Sequence, residues 1–323
     1  MSNTTVVLPP RVSFWRRTGR KLGLLRESKV GMIGAALVAF WVLCAILAPV
    51  IAPFHPNNDV IAPTMDPGED VIVAGDAYIG SRRANEFCDE ITAGENAGLY
   101  DCGTVWLGTD LGGRDTLSRI IFGAQQVLIY APLATLCAYL VGIPMGLMGG
   151  YMRGRTDDIL SFVANVILSF PVMVLYVLII ATLGASGANI VAAVVFASAP
   201  GVFRIVRGLT LDLRTREYVY AAETRGEGLW YILFVEILPN ARGPLIVDAM
   251  LRLGYVTITI GTLGFLGLGL PPPDPDWGLM IATGRAVLQS DPHVALFPCL
   301  AISSLVLGFN LMADGLREIS LRD

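Results

Sequence analysis

Long runs of residues without a single charge constrain the fold of this chain more than any other feature of its sequence. Residues 32–52 and residues 120–152 contain no Asp, Glu, Lys or Arg. An α-helix needs about 20 apolar residues to cross roughly 30 Å of hydrocarbon, so each run is long enough to span a membrane. Charged residues make up 15% of the chain, well below the roughly 25% of a typical soluble protein. These observations predict an all-α integral membrane protein.

The remaining apolar runs predict four further spans. Residues 159–203 are too many for one helix and are interrupted at residues 184–189, where Gly, Ser and Asn favour a break into two helices. A fifth span is predicted from about residue 244 to residue 270, and a sixth from about residue 294 to residue 313. Pro residues such as Pro171 are expected to kink these helices, whereas Gly lets neighbouring helices approach closely. The sequence therefore predicts six membrane-spanning helices.

Lys and Arg set the predicted orientation, because cytoplasmic segments of membrane proteins are enriched in them. They concentrate in the N-terminal tail, after the second span at Arg153 and Arg155, and in residues 204–242. With six spans these segments lie on one side, which we assign to the cytoplasm together with both termini. The predicted organisation is a basic tail (residues 1–30), a first span (31–52), an extracytoplasmic loop (53–120), a five-helix core (121–316) and a cytoplasmic C-terminal tail (317–323).

The basic tail also carries Phe14 and Trp15. One interpretation is an interfacial helix that lies on anionic lipid headgroups, and the other is that the charges only set the topology. The length of the tail and of the first span favours an uncleaved anchor over a cleaved signal peptide.

The loop of residues 53–120 is rich in Pro, Gly, Asp and Asn, and it is too polar to build a sizeable core. We expect an ordered loop on the outer mouth of the bundle, with a poorly ordered middle. Cys88 and Cys102 lie in this loop, on the side of the membrane where disulfides form. They either pair, which stabilises such a loop by roughly 3 kcal/mol, or remain free thiols. The other three cysteines lie in predicted spans, where cysteine is usually a small apolar filler.

Several kinds of chemistry are missing from the sequence. Neither lysine, Lys21 or Lys29, stands in a phosphate-binding GxxxxGK[ST] pattern. Neither histidine, His55 or His293, has metal-ligand spacing around it, and no nucleophile–base motif is present. We therefore expect no catalytic residue, no metal site, no cofactor and no nucleic-acid partner for this chain.

Asp248 and Arg252 stand in the predicted fifth span, where ionisable residues are costly and usually functional. They are four positions apart, so they share one face of a helix. One interpretation is a structural ion pair that faces the bundle interior. The other is that both side chains line a pathway for a polar, zwitterionic solute.

The polar segment of residues 217–240 is too elaborate for a simple return loop between two spans. Its first half favours a short helix with Tyr218, Ala221, Ala222 and Arg225 on one face, ended by Gly226. Such a helix can seat in a groove of a cytosolic partner. The alternative is a surface loop with interfacial aromatic residues.

This segment resembles the EAA loop of binding-protein-dependent ABC importer permeases. The matching residues are Ala221, Ala222, Gly226, Ile237, Leu238 and Pro239. Tyr220 stands where the family usually has Glu. Three other blocks resemble dipeptide and oligopeptide permeases: LGTDLGGRDTLSRIIFGAQ, FLGLGLPPPDPDWGLMI and FNLMADGLRE. The basic tail and first span resemble the N-terminal element of the C-type subunit, whereas residues 66–102 exceed the usual length of the first outer loop.

The resemblance implies the type I ABC importer permease fold and a role as half of a translocation pathway. The expected partners are a second homologous permease subunit, two cytosolic ABC ATPases that bind ATP and Mg, and an extracytoplasmic substrate-binding protein. Residues 207–242 would couple to the ATPases, and the expected location is a bacterial inner membrane. The expected cargo is a peptide or a related small solute. A secondary transporter driven by an ion gradient and a membrane-embedded enzyme are the alternatives.

Overall fold

The computed structural model describes residues 28–57, 64–74, 77–80 and 101–320 of the chain. The basic tail with Phe14 and Trp15, and Cys88, lie outside these residues. The predictions about lipid contact of the tail and about a disulfide therefore stay predictions.

Five helices are long and apolar enough to span a membrane in the part of the chain that the structure describes. They are Lys29–Ile51 (α1), Thr116–Met152 (α2), Gly187–Leu213 (α5), Leu229–Phe265 (α7) and the greater part of His293–Ser320 (α9). Between α2 and α5, the helices Gly154–Ser169 (α3) and Val172–Leu183 (α4) meet at an angle of 87°. The six predicted spans thus correspond to five single helices and one bent pair. Two short helices, Glu217–Thr224 (α6) and Trp277–Gly284 (α8), lie between spans.

The two breaks around α4 have local causes. Pro171 lacks the N–H that would continue α3, and it holds Phe170 in an extended conformation with φ −83° and ψ 142°. After α4, Gly184 takes φ +88°, and the Ser186 side chain caps α5 by accepting a hydrogen bond from the Asn189 N–H at 3.2 Å. The predicted interruption at residues 184–189 is confirmed.

A stripe of small residues joins α2 to α5, which form the most extensive helix pair of the bundle. The stripe consists of Gly142, Gly146 and Gly150, which face Val202, Val206 and Thr210 in that order. A Cβ added to any of these glycines would lie 2.5–2.6 Å from the Cβ of the facing residue. The two backbones can approach this closely only because these positions of α2 carry no side chain.

The segment between α1 and α2, which the sequence analysis predicts to be an extracytoplasmic loop, contains a small antiparallel sheet that was not predicted. Its strands are Glu69–Ala74 (β1), Ala77–Gly80 (β2) and Asp101–Val105 (β3), in the order β2-β1-β3. Ile72 of β1 stands opposite Cys102 of β3. β1 and β2 form a local hairpin, in which Ala74 pairs with Ala77. β3 pairs with β1 from a distant part of the chain, and Glu69 stands opposite Val105, so local sequence patterns gave little sign of this ladder.

Arg119, near the start of α2, joins several segments at that end of the bundle and is 2% exposed. Its guanidinium donates to the carbonyl oxygens of Pro56 and Pro273 at 3.0 and 3.1 Å, and it lies 3.4 Å from an oxygen of Asp110. Next to it, the Trp277 indole N–H donates to the Ile120 carbonyl at 2.9 Å. Two of the sequence blocks noted above, residues 107–125 and 265–281, therefore pack against each other at this end of the bundle.

Candidate functional site

The last helical residue of α6 is Thr224, and Gly226 caps this end of the helix, as the sequence predicts. Gly226 takes φ +76°, a left-handed conformation that favours glycine. Its N–H donates to the Glu223 carbonyl at 2.9 Å, and the Glu227 N–H donates to the Ala222 carbonyl at 3.2 Å. These two bonds make a Schellman cap, which satisfies the carbonyl groups at the helix end.

The two sides of α6 have different environments. Val219 and Ala222 are fully buried and pack against a cluster that includes Leu147 of α2 and Val206 of α5. Ala221 and Tyr220 are exposed on the other side, and the Tyr220 side chain is 56% accessible. The prediction that Ala221 and Ala222 share one face of α6 was therefore wrong. Ala222 packs α6 against the spans, whereas Ala221 lies on the accessible side.

Polar contacts also fix α6 to the helices around it. The Tyr151 hydroxyl at the end of α2 donates to Glu223 at 2.7 Å. The Arg225 guanidinium pairs with Glu236 of α7 at 3.2 Å and with Glu227 at 3.5 Å. Exposed pairs of this kind contribute little stability, but they set the direction of the short helix. The sequence analysis missed these contacts because the partners come from separate elements.

The start of α7 is distorted just before Leu238 and Pro239, two of the residues that match the EAA loop. Residues Ile232–Ile237 form a π-helical segment, and the Leu238 N–H donates to the Leu233 carbonyl, five residues back. Ile237 is fully buried and Leu238 half-buried, whereas Pro239 is exposed and has no N–H to donate. Wide turns of this type are frequent at functional sites. Here the wide turn separates α6 from the spanning part of α7.

Tyr218 stands at the edge of α6. Its hydroxyl is buried and has no hydrogen-bond partner among the described residues. Burial raises the pKa of the Tyr218 phenol above its ordinary value.

Asp248 and Arg252 form the predicted ion pair inside the bundle. The Arg252 Nε lies 2.7 Å from the Asp248 Oδ2, and both side chains are less than one-fifth exposed. Asp248 also accepts a hydrogen bond from the Tyr139 hydroxyl of α2, a partner that the sequence analysis did not identify. The guanidinium lies over Gly201 of α5, where an added Cβ would be 3.1 Å from Nη1. The pair thus connects three helices at mid-bundle.

The remaining predicted site residues are cysteines. Cys102 belongs to β3, and its proposed partner Cys88 lies outside the described residues. Cys44, Cys137 and Cys299 are free and half-buried, as expected of small fillers in spans.

A comparison with protein families decides which family this chain belongs to. Residues 142–322, more than half of the chain, match the family described as "Binding-protein-dependent transport system inner membrane component". This chain belongs to that family. Residues 13–70 of the permease also match the N-terminal TM domain of oligopeptide transport permease C.

Two of the curated relatives match almost the whole permease, and a third matches two thirds of it. The dipeptide transport system permease of Alkalihalophilus pseudofirmus is 32% identical over 95% of this chain and 89% of its own length. The di/tripeptide transport system permease of Pseudomonas aeruginosa is 31% identical over 98% of this chain and 94% of its own. A glutathione transport system permease of Pectobacterium atrosepticum is 41% identical over 66% of this chain and 71% of its own. The permease is therefore a multi-pass membrane subunit of an ABC importer, and nothing in these relatives supports the ion-gradient alternative.

A solved structure gives the same fold. A chain from the MetNI methionine ABC transporter in inward-facing conformations superposes with a TM-score of 0.53 at 17% identity. The match covers 63% of the permease and 95% of that chain. At this identity the likeness establishes the type I ABC importer permease fold and nothing about the transported solute.

Replacing Arg252 by Met is expected to destabilise the permease by about 3 kcal/mol, because the Asp248 carboxylate would remain inside the bundle without its cationic partner. Thermal unfolding of the detergent-purified permease measures this effect. The matched control is the double replacement Asp248→Asn with Arg252→Met, which removes both charges and should recover most of the stability.

The same two variants separate the two interpretations of the pair. Normal uptake by a stable double variant would support a purely structural pair. Loss of uptake in that stable variant would support a pathway role. An Arg252→Met permease as stable as the unaltered one would contradict the ion pair itself.

Proposed function

We propose that this permease is one of two homologous membrane subunits of an ATP-driven importer of short peptides. The observation that carries the proposal is the family match, joined to relatives whose names give dipeptides, di/tripeptides and glutathione as their cargo. Glutathione is itself a tripeptide, so all three names describe short zwitterionic peptides. The Asp248–Arg252 pair presents both charges at mid-bundle and is compatible with such a solute.

Helix α6 is the proposed coupling helix. Ala221, Tyr220 and the end of the helix at Gly226 are accessible to a partner, whereas Ala222 and Ile237 are buried and hold the helix against the spans. A short helix with small and aromatic side chains on its accessible side suits a groove in a cytosolic ATPase. With Tyr220 in place of the usual Glu, this contact would rest on ring packing and a hydroxyl rather than on a carboxylate.

The energy for transport would come from the partners. Two cytosolic ABC ATPases would bind ATP and Mg, and an extracytoplasmic binding protein would deliver the peptide. Movement of the ATPases would act on α6 and, through its packing on α2, α5 and α7, switch the permease pair between inward and outward access. Such a switch is a rigid-body transition, driven because ATP binds one arrangement of the complex more tightly than the other.

The orientation we propose places α6 and both termini in the cytoplasm of a bacterial cell, with the permease in its inner membrane. Two observations support it. The start of α1 and the end of α9 lie side by side, since a Cβ on Gly315 would be 2.4 Å from the Gly31 Cα and 3.4 Å from the Ser28 Oγ. Arginine residues also concentrate around α6, as expected of a cytoplasmic segment.

Reconstitution tests the proposed function. The permease would be co-expressed with the second permease, ATPase and binding-protein genes of its own organism, and purified through the permease alone. We expect co-purification of an ATP-hydrolysing subunit, and ATP-dependent uptake of labelled dipeptides and tripeptides into vesicles. Unlabelled glutathione and single amino acids are added as competitors. The extent to which each one reduces the uptake of labelled peptide shows which peptide length the importer prefers.

The outcomes separate the candidate functions. Uptake that follows an imposed proton or sodium gradient without ATP would support a secondary transporter and refute the proposal. ATP-dependent uptake of a sugar or a metal chelate, with no competition by peptides, would keep the importer role and refute the peptide cargo.

A further inference from the structure

Three metal-ligating side chains from distant parts of the chain meet at the outer end of the bundle. One carboxylate oxygen of Asp66, one carboxylate oxygen of Asp291 and one ring nitrogen of His293 lie within 4.8 Å of one another. Asp66 stands shortly before β1, whereas Asp291 and His293 stand at the start of α9. The cluster therefore joins the outer segment to the last span.

The environment of His293 points to a ligand that the polypeptide does not supply. This side chain is 7% exposed, and its Nε2 atom is buried without a hydrogen-bond partner among the described residues. The nitrogen faces the chain next to Asp66, because a Cβ added to Gly108 would lie 2.6 Å from it and 2.4 Å from the Met65 carbonyl oxygen. Burying a polar nitrogen without a partner is unfavourable, and coordination of a metal ion would satisfy it.

The negative charges of Asp66 and Asp291 also favour a bound cation. In the part of the chain that the structure describes, neither Asp66 nor Asp291 forms a salt bridge with Lys or Arg. The Ser290 hydroxyl donates to Asp291 at 2.7 Å, and this neutral contact leaves the charge uncompensated. Two carboxylates at this separation repel each other unless a cation or a proton lies between them.

We propose that Asp66, Asp291 and His293 bind a zinc ion, which ties the segment before β1 to the start of α9. Zinc accepts imidazole nitrogen and carboxylate oxygen at about 2.0–2.2 Å, and a water molecule can take the fourth position. Calcium and magnesium prefer sites made of oxygen alone. Around a tetrahedral zinc ion with bonds of this length, the ligand atoms are roughly 3.4 Å apart. The three ligand atoms here lie within 4.8 Å of one another, so small rotations of the side chains would bring them to this distance.

This proposal departs from the prediction that the chain has no metal site. The sequence analysis found no ligand spacing around His293, since Asp66 reaches it only through the fold of the outer segment. The site also goes beyond the transport function, because it concerns the position of the outer segment over the mouth of the bundle.

Zinc binding to the detergent-purified full-length permease tests the proposal. The affinity tag should contain no histidine, and Cys88 and Cys102 should be replaced by Ser so that thiolates do not compete for the ion. We expect one zinc ion per chain by elemental analysis after dialysis. In calorimetric titration with zinc chloride, Asp66→Asn should weaken binding by about tenfold or more, because it removes an exposed ligand and leaves the core intact.

The chain offers a matched control and a second variant. His55→Ala removes the other histidine and should leave zinc affinity unchanged. His293→Ala should reduce zinc binding at least as much as Asp66→Asn. If the buried histidine proves necessary for folding, Asp291→Asn is used instead of His293→Ala. Equal zinc affinity of Asp66→Asn, Asp291→Asn and the unaltered permease would overturn the proposal, as would stoichiometric calcium binding without zinc binding.

Discussion

Arginine in place of Ala221 is expected to reduce ATP-driven uptake at least tenfold while the permease remains folded. Ala221 is exposed on the accessible side of α6, so the longer side chain disturbs no packing within the chain. In the groove of a partner, however, arginine would be bulky and its charge unpaired. Burying an unpaired charge commonly costs more than about 1.4 kcal/mol of binding free energy, which corresponds to a tenfold loss of affinity for the ATPase. Uptake and ATP hydrolysis by the reconstituted complex measure the effect.

Thr215→Arg is the matched control for this experiment. Thr215 lies in the predicted coupling segment of residues 207–242 but outside α6, the helix to which the proposed contact is narrowed. It is exposed, and its hydroxyl donates to the Asp212 carbonyl at 2.8 Å. The variant therefore adds the same charge just outside α6. We expect Thr215→Arg to retain uptake. Normal uptake and normal co-purification of the ATPase with Ala221→Arg would refute the assignment of α6 as the coupling helix.

Valine in place of Gly146 is expected to destabilise the permease by about 3 kcal/mol or more. A Cβ at this position would lie 2.5 Å from the Val206 Cβ and 2.9 Å from the Phe203 carbonyl oxygen, so α2 and α5 would have to separate. Overpacking of a filled interior typically costs about 1–3 kcal/mol, and here one of the obstructing atoms belongs to the backbone. The yield of monodisperse protein and its thermal unfolding in detergent measure the loss.

Gly208→Val provides the comparison within the same helix pair. An added Cβ at Gly208 of α5 meets no atom within 4 Å, so the same change of residue type tests helix propensity without the steric conflict. We expect this variant to be as stable as the unaltered permease or slightly more stable, because glycine is a poor helix former. Equal stability of the Gly146→Val and Gly208→Val variants would contradict close packing between α2 and α5.

The number of spans and the break at residues 184–189 could be predicted because they depend on local properties. Uncharged length determines whether a helix can cross the membrane, and Gly184, Ser186 and Asn189 each carry a local signal for a break. The end of α6 was predictable for the same reason, since a left-handed residue after a helix is most often glycine. These features need no knowledge of which other helix lies nearby.

Features that depend on neighbours could not be predicted. Ala221 and Ala222 are adjacent and chemically identical, and only the packing of α6 on α2 and α5 decides which one is buried. Tyr139 joins the Asp248–Arg252 pair from another helix. The small sheet and the proposed zinc ligands likewise bring together residues that the sequence keeps far apart.

The α3–α4 pair would cross a membrane only with both of its helices tilted. These helices have 16 and 12 residues, so at 1.5 Å per residue they are about 24 and about 18 Å long. Because they meet at 87°, the two free ends of the pair are about 30 Å apart. Neither helix alone crosses roughly 30 Å of hydrocarbon, but the tilted pair together does. A span of this shape can follow a change in bilayer thickness by changing its tilt.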